Sequence, residues 1–145
     1  EALSAALAAG ARAVKWLPPA MGIDPSSPRC DRFYAALARH DVPLITHAGE
    51  EQAVDIGESQ DYANPLLLRR ALDHGVRVVV AHCASTGGAV DLDRGAHGPH
   101  RPCFELFARL MDETRDTQRP FADISALTLR NTKATSAMTT TSMGP

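Results

Sequence analysis

Pro43-Leu44-Ile45-Thr46-His47-Ala48-Gly49-Glu50 reads as a short buried strand that ends in a histidine and then turns. One βα unit later, Val76-Arg77-Val78-Val79-Val80-Ala81-His82-Cys83 repeats the pattern. A buried strand is satisfied by Val, Ile and Leu; an imidazole at its end must find a partner or suffer desolvation. Two histidines at the same level of neighbouring parallel strands put two rings on one rim, where α/β sheets and barrels keep their chemistry. On alternation Ile45, His47 and Gly49 share a face, as do Val78, Val80 and His82, which points both rings to one side.

The flanking sequence supplies the rest of an alternating pattern. Glu1 to Ala9 is rich in helix formers and Gly10 is a natural stop. Ala11 to Leu17 reads as a strand closed by Pro18-Pro19, with Ala13, Lys15 and Leu17 on one face and Val14 and Trp16 on the other. Ser27-Pro28 caps a helix running to about His40, its apolar side carried by Phe33, Tyr34 and Leu37. Asn64-Pro65 caps another that ends at His74-Gly75. After a Gly-containing loop, Ala84 to Pro102, comes a helix from Cys103 to about Glu113, with Phe104, Phe107, Leu110 and Met111 as its buried stripe. Arg119-Pro120 is a break, and Phe121 to Leu127 is the last strand. The order α-β-α-β-α-β-α-β, with about 30 residues from strand to strand, fits right-handed βαβ crossovers and a parallel sheet. Either a doubly wound sheet or a barrel accommodates it. The first, as a nucleotide-binding domain, wants a Gly-rich turn after its first strand, where Leu17-Pro18-Pro19-Ala20 stands instead. Residues 1–131 read as one α/β unit. The polar, aperiodic run from Thr132 to Pro145 reads as a disordered or poorly folded tail.

Bulk properties narrow the function. The chain has 145 residues and a net charge of −2, which gives no electrostatic footprint for nucleic acid or an anionic membrane. No run of about 18 apolar residues predicts a membrane span. Cys30, Cys83 and Cys103, with no CxxC, read as free thiols in a reducing, cytoplasmic compartment. Glu1 opens inside a helix-like run, as in a piece of a longer parent. Four parallel strands leave two open edges, which predicts self-association through them.

Gly10-Ala11-Arg12-Ala13-Val14-Lys15-Trp16-Leu17-Pro18, Pro43 to Gly49, Val78 to Cys83, and Phe121-Ala122-Asp123-Ile124-Ser125-Ala126 come in order and at barrel spacing. Together they resemble strands four to seven of the amidohydrolase superfamily, nearest to its amidohydrolase-related branch of metal-dependent hydrolases and decarboxylases. The resemblance spans about Ala11 to Asn131. It implies an α/β fold that is part of a (β/α)8 TIM barrel, about four parallel strands with alternating helices. It also implies a small-molecule substrate and a divalent metal ion, zinc first, with Mn, Fe or Ni as alternatives. By likeness His47 is the strand-five metal ligand. His82 is the strand-six ligand or, in mononuclear relatives, the catalytic acid/base imidazole. Lys15 falls on strand four, where some members carry a carbamylated lysine that bridges two metals. The reaction implied is attack of metal-activated water on an amide, ester or lactone carbonyl. The alternatives are non-oxidative decarboxylation at the same metal and a catalytically inactive barrel fragment. The departures from the family plan are plain: no His-x-His occurs in the chain, and no strand-eight Asp can be assigned.

Other polar residues have quieter readings. Glu50 and Glu51 either orient His47 or form a solvated turn. Asp123 is a structural hydrogen-bonding group before it is a catalytic one. His97 and His100 belong to an exposed loop at the rim, and His40 and His74 close helices. Ser85-Thr86-Gly87-Gly88 is a weak phosphate-cradle pattern without a P-loop lysine.

Overall fold

Four short β-branched and apolar runs set the frame. A computed structural model describes residues 2–51, 59–117 and 120–125. Strands β1 (Val14–Trp16), β2 (Leu44–His47), β3 (Val78–Ala81) and β6 (Pro120–Ala122) form one sheet in the order β1-β2-β3-β6, every neighbouring pair parallel. The order follows the chain without reversal, as in a barrel wall, and among the described residues there is no switch point of the doubly wound kind.

The register shows which residues share a face. Lys15, Ile45, Val79 and Phe121 lie level, and Trp16, Thr46, Val80 and Ala122 lie one step on. The face of Trp16, Leu44, Thr46, Val78 and Val80 is buried. It packs against Tyr34 and Leu37 of α3 (Asp31–Arg39), Ala71 and Leu72 of α4 (Arg69–Asp73), and Cys103, Phe107 and Leu110 of α5 (Cys103–Glu113). Leu3 and Leu7 of α1 (Ala2–Ala8) pack at its margin. The opposite face is barer: Ile45 and Val79 are half-buried, and Lys15 and Phe121 are exposed. Parallel sheets ordinarily have both faces covered, so this is the face a complete barrel would turn inward.

Local punctuation explains the helix ends. Gly10 and Gly75 take positive φ where α1 and α4 stop. Ser27 accepts from the Arg29 amide, and Asn64 accepts from the Leu66 amide at 3.0 Å; each opens a 3-10 turn at a proline that leads into a helix. Pro18-Pro19 does more than end a strand: it starts the short helix α2 (Pro18–Met21), closed by left-handed Gly22.

Several expectations need correction. The strands are shorter than the apolar runs, because backbone pairing is confined to the central residues. Pro120 opens β6 and does not precede it; at the sheet's outer strand its missing N–H is tolerated. Phe104 is exposed, since the buried stripe of α5 runs through Cys103, Leu106, Phe107 and Leu110. The loop from Ala84 to Pro102 contains an antiparallel hairpin, β4 (Gly88–Val90) with β5 (His100–Pro102). Arg69 clamps it from α4, bridging Asp93 at 2.6 Å and Glu113 of α5 at 2.8 Å, while Arg109 reaches Asp91 at 2.9 Å. The tail from Thr132 lies outside the described residues, as do Ala126 and Leu127 of the expected last strand. All three cysteines are free, and no helix among the described residues is long and apolar enough to cross a membrane.

Candidate functional site

His47 is the last residue of β2 and is buried. It pairs in register with Ala81, so it shares a face with Val79 and Ala81, not with Val80. The alternation expected from the sequence had the two strands out of step: continued regularly, β3 would send His82 to the helix side. The backbone prevents this. His82, Cys83 and Ala84 take φ of 56°, 54° and 49°, three successive non-glycine residues in the left-handed region. Each costs about 1–2 kcal/mol. The turn swings the His82 ring over the end of β3, and the ring centroids of His47 and His82 lie 6.1 Å apart, edge to face. The two histidines do meet at the C-terminal rim, through backbone strain and not through strand alternation.

Each ring has defined partners. His47 Nε2 faces the Gly49 carbonyl oxygen at 3.0 Å and the Glu51 carboxylate at 3.6 Å. Both are acceptors, so Nε2 carries the proton and Nδ1 is the unprotonated nitrogen of the neutral ring. Burial holds His47 below the ordinary histidine value, against the pull of Glu51, and a neutral imidazole is the form that ligates metal. Of the two glutamates, Glu51 is buried beside the ring and Glu50 is exposed. On the other ring, His82 Nδ1 lies 2.8 Å from the Ser125 carbonyl oxygen and 3.1 Å from Ser125 Oγ. Ser125 is tied in turn to Asp123, donating its amide to Oδ1 at 2.6 Å and its hydroxyl to Oδ2 at 2.7 Å. Those two bonds hold the Asp123 carboxyl below the usual carboxylate value, with smaller help from His82 and Lys15.

Lys15 projects from β1 on the same face, one pleat below the histidine level, and is exposed. It lines a cleft of about 710 Å³ with Trp16, Asp24 and Tyr62. A second cleft, of about 440 Å³, is bounded by Gly49, Glu50, Asn64, His100 and Cys103. Among the described residues neither cleft includes His47 or His82. Burial pushes the Cys103 thiol up to about 11, which removes it as a nucleophile near neutral pH. Thr86 is buried and donates its hydroxyl to the Glu50 carbonyl at 3.0 Å, so the Ser85–Gly88 turn locks two rim loops together. His97 and His100 are exposed, and His74 is engaged with Asp31 at 3.1 Å. The role of Ser125 was invisible in the sequence: a lone serine after a strand has no distinguishing pattern.

Do these residues fit a metal ion? Bonds of about 2.1 Å to tetrahedral zinc put two ligating imidazole centroids about 5 Å apart, so the observed pair stands about an ångström wide of a shared ion. Among the described residues, no group of three or more His, Cys, Asp or Glu is placed to hold a metal. Among the described residues the pair alone does not make a metal centre.

A parallel sheet in chain order, with helices on one face and two histidines at its C-terminal rim, defines an α/β protein of the barrel class. The chain belongs to the amidohydrolase family, whose family model matches residues 1–131. That family has the TIM-barrel fold, its domain carries hydrolase-type function in general, and it usually uses a divalent metal. No curated protein and no solved structure matches the chain.

Proposed function

We propose that this chain carries the strand-five and strand-six imidazoles of a metal-dependent hydrolase acting on an amide, ester or lactone carbonyl. The observation that supports this is the convergence of His47 and His82 from adjacent parallel strands, at 6.1 Å, by way of a strained turn. Residues held in strained backbone of this kind cluster at functional sites. When bound, a divalent ion supplies a water of lowered pKa and polarises the carbonyl. The residues of this chain supply the setting: Gly49 and Glu51 orient His47, Ser125 orients His82, and His82 is placed to ligate or to move a proton. Lys15, exposed on the same face, fits substrate attraction better than a buried carbamate bridge.

A second reading has its own support. Catalytic zinc sites use three protein ligands, and the described residues offer two imidazoles without a third partner for the ion. On that reading the chain as it stands is a catalytically inactive part of a barrel that binds metal weakly. Metal content after purification, with hydrolysis of a lactone and amide panel, separates the two. Turnover that disappears with metal removal, and with His47→Ala and His82→Ala, establishes the hydrolase. Weak metal retention without turnover establishes the second reading. Failure to bind metal at all overturns both.

A further inference from the structure

Ser125 presents two atoms to His82 Nδ1, and neither has a proton to give. The carbonyl oxygen only accepts. The single proton of the hydroxyl is committed to Asp123 Oδ2, 2.7 Å away. Nδ1 must therefore be the donor, bifurcated between the carbonyl oxygen at 2.8 Å and the hydroxyl oxygen at 3.1 Å. Asp123 is itself anchored to the sheet, its amide donating to the Val80 carbonyl at 2.9 Å, and its own carbonyl receives the Cys83 thiol at 3.4 Å. The chain of contacts runs from β3, through Asp123, to Ser125 and back to the ring on the left-handed turn after β3.

We propose that Asp123 and Ser125 are positioning residues that fix His82 as its Nδ1–H tautomer and so keep Nε2 unprotonated for the chemistry of the site. An unconstrained histidine side chain prefers the opposite tautomer, with the proton on Nε2, which neither ligates nor accepts a proton there. The relay therefore has a chemical purpose beyond holding the ring still, and nothing in the family plan described above assigns it to these two residues. The use made of Nε2 rests on the hydrolase reading; the position of the proton does not.

The test is a long-range proton–nitrogen correlation spectrum of the histidine rings in the full chain, EDTA-treated and held well above the imidazole titration, with His82 assigned by His82→Gln. The wild type is expected to show a pyrrole-type Nδ1 and a pyridine-type Nε2. Asp123→Ala is expected to shift the tautomer ratio toward Nε2–H by roughly tenfold, what the loss of one ordinary hydrogen bond carries. Asp123→Asn keeps an acceptor for the Ser125 amide but puts an NH2 donor where Oδ2 accepts the hydroxyl proton, so its ratio is expected to fall between those of the wild type and Asp123→Ala. The Trp16 indole signal reports that each variant is folded. A wild-type His82 that is Nε2–H or averaged between tautomers overturns the proposal, and this spectrum decides even where Asp123→Ala fails to fold. An unchanged ratio in folded Asp123→Ala overturns it as well. Because the readout needs neither metal nor substrate, a correct tautomer without turnover would count against the hydrolase reading alone.

Discussion

Adding one methyl group at Gly49 should be far more damaging than adding it at Gly22. Both glycines have positive φ, +88° and +62°, so alanine is strained at either, by about 1–2 kcal/mol. At Gly22 that is the whole effect, since a Cβ would meet nothing within 4 Å. At Gly49 the new Cβ falls 2.8 Å from the Thr86 carbonyl oxygen, 3.1 Å from Thr86 Oγ1 and 3.2 Å from the Ala84 carbonyl carbon. Those are backbone and buried atoms with little room to yield. The Thr86 carbonyl accepts the Glu50 amide at 3.0 Å, and the Gly49 amide is bound to the Ala63 carbonyl at 2.9 Å. Overpacking of this kind adds about 1–3 kcal/mol. The expected total for Gly49→Ala is about 2–5 kcal/mol, which at about 3 °C per kcal/mol for a chain of this size lowers Tm by about 6–15 °C. Gly22→Ala should lose about 3–6 °C on the same scale. Thermal unfolding followed by circular dichroism compares them directly. A Gly49→Ala protein that melts no lower than Gly22→Ala would refute the close approach of the two rim loops, and with it the geometry that seats His47 against the Gly49 carbonyl.

Other outcomes follow from specific contacts. Trp16→Phe removes the donor that reaches buried Thr46 Oγ1 at 2.7 Å and should cost about 1–3 kcal/mol in urea unfolding; a loss under about 0.5 kcal/mol would mean the bond contributes little. Asp91 and Asp93 are held below the usual carboxylate value by Arg109 and Arg69 respectively. Their contribution to stability is thus complete above that value and disappears as pH falls through the lower folded-state values. Tm measured against pH should show this acid limb, and Asp93→Asn should flatten it; an unchanged slope rejects the assignment. We also propose that the outer strands β1 and β6, with the bare face bearing Ile45, Val79 and Phe121, make the chain self-associate. Sedimentation coefficients should rise with concentration, and a constant monomer value would reject this.

What could be read in advance was local chemistry. Ser27-Pro28, Asn64-Pro65, Gly10 and Gly75 mark helix ends because the capping oxygen, fixed proline φ and glycine freedom act within a few residues. The parallel order followed from apolar runs at βα spacing. What could not be read depends on partners distant in sequence or on conformations that composition does not announce. The hairpin of β4 and β5 uses three-residue strands with His100, Arg101 and Pro102, which no alternation pattern reveals. Phe104 looked like core because aromatics usually are, yet its place on α5 faces outward. The meeting of His47 and His82 was anticipated for the wrong reason: the strands are offset by one residue from the assumed register, and three left-handed residues that are not glycine make up the difference. Asp123 is legible as a structural acceptor, but its link through Ser125 to the ring depends on the turn after β6, which no sequence pattern announces.

The left-handed run at His82, Cys83 and Ala84 sets two engineering aims against each other. Glycine at position 84 would relieve about 1–2 kcal/mol of conformational tension, set against the loss of a fully buried methyl group, about 0.8 kcal/mol. The same replacement would loosen the left-handed turn that carries the His82 ring over the end of β3. Variants selected for thermal endurance at this turn are thus expected to drift away from whatever reaction the rim supports.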